Sequence, residues 1–224
     1  SVIDVPASVT VIGQEAFAYN AIASVTFASN TQLHTIGDQA FMSTGLKEIT
    51  VPAGVTSLGY GAFACCDYLT SIEIAEGNTV YHDINGVVYT LDNTKIHMYP
   101  AGREESVYTI EAAARSISPW GFAGASNLGY AVLPEGMTEI GEYGFYLCGA
   151  SGYTLPSTLI ELEQYSFAKN YNLNYIQIPD NVLQIGRYAF AECWNLYSIN
   201  FSATSKLPRI SYGAFAYSGI NYFT

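Results

Sequence analysis

Positive charge is scarce in this chain. Eight Lys and Arg stand against 19 Asp and Glu, a formal net charge of −11 over 224 residues. A surface of that sign repels phosphate backbones and anionic headgroups, which argues against nucleic acid and membrane-surface partners. Long apolar runs are missing too. Gly, Pro, Thr or Ser breaks the apolar stretches within about ten residues, short of the roughly 20 that span a bilayer, so no membrane insertion is expected. The three histidines, His34, His82 and His97, share no ligand spacing with one another or with a cysteine, which argues against a metal site. There is no G-x-S-x-G elbow, no glycine-rich phosphate loop and no H-E-x-x-H. Asp83-Ile84-Asn85-Gly86 lacks the oxygen register and closing Glu of a calcium loop and reads as a turn. Glu104-Glu105 has no positioned partner. No catalytic residue, metal ligand or cofactor is therefore expected, and the chain reads as non-enzymatic. Its first residues, SVIDVPASVTVIG, show no export signal, and the chain looks like a piece of something longer.

What is abundant is repetition. Half of the residues are apolar, enough to bury a large core without disulfides or metals. Aligned on phenylalanine, one frame recurs as IGQEAFAYN, IGDQAFMST, LGYGAFACC, ISPWGFAGA, IGEYGFYLC, LEQYSFAKN, IGRYAFAEC and ISYGAFAYS. Its phenylalanines, Phe17, Phe41, Phe63, Phe122, Phe145, Phe167, Phe190 and Phe215, are spaced by 24, 22, 59, 23, 22, 23 and 25 residues. Six near-equal intervals out of seven mark a solenoid. Three residues past each phenylalanine stands a small residue, mostly able to make one hydrogen bond, as a tight inner corner demands. Cys66, Cys148 and Cys193 are therefore corner residues first. Coils about 4.8 Å apart put next-but-one corners about 10 Å apart, beyond the ~7 Å reach of a disulfide. Cys65 sits beside a corner, and its role stays open. Gly13, Gly37, Gly59, Gly141 and Gly186 are read as places where the coil turns.

Upstream of the frame lies a second signature, seen in LKEITVP, LTSIEIA, LNYIQIP and LYSINFS. Its alternation predicts a short strand with one buried face, often ended by a proline that has no N–H to give a ladder. Strands from successive coils of one hand run parallel, with right-handed crossovers. The 59-residue interval holds one unit of about 23 residues and some 36 more. Within residues 78–110, GVVYTL and KIHMYP flank Asp92-Asn93-Thr94 and predict an inserted β-hairpin. This insertion reads either as a projecting recognition element or as a tolerated surface insertion, the second favoured because loops absorb residues cheaply.

The combined pattern, clearest in LNYIQIPDNVLQIGRYAFAEC from Leu173 to Cys193, resembles the BspA-type leucine-rich repeat of bacterial and protozoan surface proteins. The resemblance covers nearly the whole chain. It implies a single leucine-rich repeat domain over residues 1–224, of about eight units. The expected fold is a right-handed curved coil with a parallel β-sheet on the concave face, short strand or 3-10 segments on the other face, and the inserted hairpin.

Reading the strands in phase places outward side chains in columns along the sheet. Few are charged, and the C-terminal half gathers Tyr130, Tyr175, Tyr197 and Tyr222 with Asn174, Gln177 and Asn200. Aromatic plates among amides and hydroxyls suit protein hot spots and sugar rings alike, although Tyr, Thr and Asn also suit any exposed strand. The expected partner is a protein, with a glycan as the alternative, and the chain is expected to act as a monomer. The resemblance implies an extracellular or cell-surface location and contact with host matrix proteins or neighbouring cells. A structural spacer is the other reading.

Overall fold

In the computed structural model, which describes residues 1–220 and the backbone of Tyr222–Phe223, the alternating segments form short strands along one wall. Val2–Val5, Ser24–Phe27, Glu48–Val51, Ser71–Ile74, Tyr130–Val132, Gly152–Thr154, Tyr175–Ile178 and Ser198–Phe201 make up most of it. They pair in parallel and in the expected phase: Glu48 lies opposite Ser71, Tyr130 opposite Gly152 and Tyr175 opposite Ser198. A second wall consists of two-residue strands that end on the Ile or Leu of the frame, such as Glu139–Ile140 and Gln184–Ile185. No helix occurs among the described residues. The chain is a parallel β-solenoid of the leucine-rich repeat type.

Between the walls the phenylalanines stack. Phe41, Phe63, Phe122, Phe145, Phe167 and Phe190 are almost wholly buried. Their centroids follow one another at 5.5 Å from Phe41 to Phe63, 4.7 Å from Phe122 to Phe145, 5.3 Å to Phe167 and 5.1 Å to Phe190. The corner residues act as the spacing suggested. Cys66, Cys148 and Cys193 point their thiols at the carbonyls of Phe41, Phe122 and Phe167, one coil earlier, at 3.2, 3.6 and 3.1 Å. Asn170 donates to the Phe145 carbonyl at 2.6 Å in the same way. All four cysteines are free.

How the corner is built was not foreseen. Residues two before and two after the phenylalanine hold left-handed backbone, and most are not glycine: Tyr143 and Leu147, Tyr165 and Lys169, Tyr188 and Glu192 have φ between 54° and 60°. Each such residue costs about 1–2 kcal/mol of backbone strain. The alternation of hands turns successive odd N–H groups the same way, so the corners of Phe17, Phe41, Phe122, Phe145, Phe167 and Phe190 each donate three bonds to the next coil. Tyr165, Phe167 and Lys169 bond Arg187, Ala189 and Ala191 at 3.1, 2.8 and 2.8 Å. The recurrent glycines have another reason than the turning of the coil, which was the sequence expectation. A Cβ at Gly37, Gly59, Gly141 or Gly186 would lie 2.2–2.7 Å from backbone of the preceding coil. Gly13, on the first coil, meets nothing within 4 Å. Close approach between coils is the constraint.

The insertion is neither a projection nor a surface loop. Tyr81–Ile84, Val87–Thr90 and Lys95–Met98 form an antiparallel meander whose last strand joins the narrow wall, pairing in parallel with Ser116–Ile117. Val87, Val88, Tyr89 and Ile96 are fully buried. Tyr99 then takes the phenylalanine position. Its ring stacks on Phe122 at 4.8 Å, and its N–H bonds the Gly121 carbonyl at 2.7 Å, as Phe122 N–H bonds the Gly144 carbonyl at 2.7 Å one coil on. Residues 87–102 thus close a further turn of the solenoid. This turn divides the core in two: Val88 and Met98 pack with the N-terminal coils, Val87, Tyr89, Ile96 and Tyr99 with the C-terminal ones.

At this seam a backbone bond out of ladder and two side chains replace missing ladder bonds. On the wide wall, Ile72 N–H meets the Gly86 carbonyl at 3.0 Å and Ile74 N–H meets the Asp83 carboxylate at 2.9 Å. On the narrow wall, the Leu58 carbonyl should accept the backbone N–H that follows the next Ile, as Ile36 does from Gly59 at 2.7 Å. It receives instead the Nε2–H of His97 at 2.9 Å, while Nδ1 faces the Ser118 hydroxyl at 3.2 Å. His97 is buried between the Tyr60 and Tyr81 rings. Burial holds its pKa down at about 4, with Lys95 adding to the effect and the Leu58 carbonyl and Asp38 opposing it.

Three consequences can be measured by chemical denaturation. Phe167→Ala removes a ring packed between Phe145, Phe190 and Tyr153 and should cost about 3–5 kcal/mol. Ser166→Ala should instead stabilise, by about 1 kcal/mol, because the Ser166 hydroxyl is buried without a partner where five other coils carry alanine. His97 is neutral in the fold but titrates at its ordinary 6.5 once unfolded. Stability from this group is complete above pH 6.5 and falls as pH drops towards 4, by up to about 3 kcal/mol. His97→Asn should flatten that part of the pH profile.

Candidate functional site

The wide wall offers its outward side chains as the sequence phase requires, yet only some of the expected residues meet. Strands Tyr175–Ile178 and Ser198–Phe201 bury Ile176, Ile178 and Ile199 and turn Tyr175, Gln177 and Asn200 outward. These three form one net. The Tyr175 hydroxyl donates to Gln177 Oε1 at 3.1 Å, and the same oxygen accepts from Asn200 Nδ2 at 2.6 Å. Gln177 Nε2 reaches the Asn200 carbonyl at 3.3 Å. The net holds the amides in fixed directions beside an open ring, since Tyr175 is 43% exposed. Asn174 and Tyr197 stand at the strand entrances, linked by the Tyr197 N–H to the Asn174 carbonyl at 3.2 Å, and Tyr197 is 54% exposed.

Tyr130 lies apart from this group. Its strand pairs with Gly152–Thr154, and no ladder joins that strand to Tyr175–Ile178. The ring lies across Gly152, where an added Cβ would come within 2.7 Å of it, and the hydroxyl meets Thr154 Oγ1 at 3.1 Å. Tyr222 continues the Tyr175 and Ser198 column in backbone register, but its side chain is outside the described residues.

The N-terminal part of the same wall differs in chemistry. A trough of about 780 Å3 runs over Ser24, Thr26, Glu48, Thr50 and Glu73. Thr26 donates to Asp4, and Thr50 to Glu73 at 3.3 Å, so this end is acidic and hydroxylic where the other is aromatic and amidic.

The sequence reading missed an aromatic column at the corner. Trp120, Tyr143, Tyr165 and Tyr188 occupy the left-handed position two before the phenylalanine and stack at 4.1, 4.8 and 5.2 Å, within 13° of parallel. Tyr212 ends the row edge-on. The signal was visible in the aligned frames as a Trp or Tyr at one place in four consecutive units. Because each ring face covers the next, the column presents edges and hydroxyls to solvent. It braces the corner and offers no open plate.

Burial pushes Cys148 and Cys193 up to about 12, and burial with the neighbouring Cys66 and Asp67 does the same to Cys65, so the thiols stay protonated and weakly nucleophilic. Among the described residues no three His, Cys, Asp or Glu side chains gather where a metal could sit, and no helix is long and apolar enough to cross a membrane.

Comparison with known proteins agrees with this architecture. The family described as BspA type Leucine rich repeat region matches in six copies, over residues 1–93 and 105–222. No curated protein sequence matches. Among solved structures, a pneumococcal vaccine antigen, PcpA, aligns with a TM-score of 0.86 at 25% identity over 97% of this chain and 56% of the antigen's. A leucine rich cell surface protein from Faecalibacterium prausnitzii aligns at 0.82 with 27% identity, over 94% of this chain and 59% of the other. A leucine-rich repeat protein from Eubacterium ventriosum, at 20% identity and a TM-score of 0.58, covers 100% of this chain and 78% of its own, and speaks to fold alone. The chain spans less than two thirds of the length of the first two.

Proposed function

The chain belongs to the BspA-type leucine-rich repeat family, and from that premise we propose that it is a non-enzymatic binding module, secreted or displayed on a cell surface, that recognises a protein. The recognition surface is the C-terminal part of the wide wall. One observation carries the reading: Tyr175 and Tyr197 are exposed rings beside a prearranged amide net, on a surface with almost no charge. Rings with few rotamers and amides already held in place lose little entropy on binding, which favours hot-spot residues. The similarity to a leucine rich cell surface protein supports the location. The module acts as a monomer, and its partner is an extracellular protein of the host matrix or of a neighbouring cell. A spacer would need no such surface.

The test is surface plasmon resonance of the purified chain over immobilised matrix proteins such as fibronectin, fibrinogen, collagen and laminin. Saturable binding to at least one is expected, weakened tenfold or more by a combined Tyr175→Ala and Tyr197→Ala change. Equal binding by that variant would move the site elsewhere, and flat responses to every ligand would favour the spacer.

A further inference from the structure

One pair of rings escapes both aromatic columns. Tyr171 and Trp194 occupy the first central position of the β-turns that close at Asn170–Leu173 and Cys193–Leu196, with N–H to carbonyl distances of 3.3 and 2.9 Å. These turns lie on the flank between the phenylalanine corner and the wide wall. The rings contact each other at 4.7 Å, tilted by 32°, and touch no other ring among the described residues. On the coil before Tyr171 the equivalent residue is Gly149, and on the coil after Trp194 it is Gly219. Neither can carry a side chain: a Cβ at Gly149 would lie 1.9 Å from the Ser126 carbonyl oxygen, and one at Gly219 would lie 2.2 Å from that of Trp194. The outer faces of the pair therefore have no side-chain neighbour in their own column. Trp194 is 59% exposed.

Beside the rings, at the second central position of the same turns, stand Asn172 and Asn195. Asn172 donates to the Gly149 carbonyl at 2.9 Å and Asn195 to the Tyr171 carbonyl at 2.6 Å. A carbonyl only accepts, so each bond uses one N–H of the amide and leaves its second N–H and its oxygen free, on side chains that are exposed. Each asparagine therefore keeps one donor and one acceptor beside the rings. The nearest charges on the adjoining corner, Lys169 and Glu192, face each other at 3.9 Å.

We propose that this flank is a binding subsite for a neutral saccharide, with a sugar ring stacked on the uncovered face of Trp194, which Tyr171 backs, and its hydroxyls bonding the side-chain amides of Asn172 and Asn195. The remaining donor and acceptor of each amide select the ligand. A saccharide brings hydroxyls that both donate and accept, matching the amides on both counts, and a face of C–H groups to lie on indole. A proline-rich peptide also stacks on aromatic rings, but proline has no N–H to give the amide oxygens. The subsite is separate from the Tyr175 net on the wide wall and does not rest on protein recognition there.

Trp194 is its own probe, because the chain has only one other tryptophan, Trp120, which is stacked on Tyr143. Cellotetraose, laminaritetraose and chitotetraose are titrated into the chain to millimolar concentration, with tryptophan fluorescence as readout and a proline decapeptide in parallel. A saturable change with at least one saccharide is expected, lost in Trp194→Ala, kept in Trp194→Phe when followed by calorimetry, and weakened at least tenfold by Asn195→Ala. Tyr175→Ala should leave it unchanged, so failure of the wide-wall reading and failure of this one are told apart. No saturable response to any saccharide, a response to the decapeptide alone, or saccharide binding that persists in Trp194→Ala by calorimetry would each overturn the proposal. Circular dichroism of the variants checks that the exposed substitutions leave the fold intact.

Discussion

The whole array depends on how one coil is fastened to the next at its inner corner. Three N–H groups, from the phenylalanine and from the residues two to either side, point at the following coil because the backbone alternates between hands. The two left-handed residues cost about 1–2 kcal/mol each, at least as much as the roughly 1 kcal/mol that each of their own hydrogen bonds returns. The corner bonds set direction and register, then, and the net stabilisation comes from elsewhere. Burial of a phenylalanine contributes about 1.5–3 kcal/mol, and each coil supplies one except the inserted turn, which supplies Tyr99. Glycine after the frame Ile serves the same end, letting two backbones approach where a methyl group would collide. Fastening and filling are divided between backbone and ring.

That division explains how the array absorbs its insertion. In the other coils the frame aromatic lies five residues after its Ile or Leu, whereas Tyr99 lies three after Ile96. The shortened corner still sends its N–H to Gly121 and its ring to Phe122, while at the outer edge Cys65 reaches past it to bond the Ala123 carbonyl at 3.1 Å. Towards the N-terminal coils the fit is poorer. There the side chains of Asp83 and His97 supply partners that a regular coil would have supplied from its backbone. The result is two cores joined by a meander with residues in each, and a seam whose narrow side rests on a neutral imidazole.

Much of this was legible in the sequence, and the failures have physical causes. Phenylalanine spacing, corner cysteines and strand phase could be read because each is a side-chain preference repeated at one period. Residues 87–99 were taken for surface because a hairpin signature looks the same whether it is solvated or sandwiched. Their near-continuous apolar run, VVYT and IHMY, was the overlooked sign of a strand buried on both faces. The left-handed corner residues were hidden for a different reason. Tyr, Lys, Glu and Leu do not advertise positive φ, and tertiary hydrogen bonds override what local propensity would choose. Of the expected recognition residues, Tyr175, Gln177 and Asn200 meet while Tyr130 does not. Phase predicts which column a residue joins and says nothing of whether neighbouring strands close a ladder.

The tyrosines show most clearly that residue type alone does not separate scaffold from surface. Tyr99 fills the core in a phenylalanine's place, Tyr143 and Tyr165 cover each other along the corner, and Tyr130 lies down over Gly152. Each would count equally in a composition that is rich in tyrosine. What distinguishes them is the residue one coil away: another aromatic takes up the ring face, while a glycine gives the ring room to lie flat or leaves its face bare. In a solenoid that neighbour is set by a single spacing of about 23 residues, so the binding capacity of an exposed ring is a property of pairs along the column. Ring faces left uncovered by their column, together with hydrogen-bonding groups whose remaining donors and acceptors can be counted, are the features from which ligand class can be argued. On this chain those features fall in the C-terminal coils, beyond the seam, where the phenylalanine stack runs without a break.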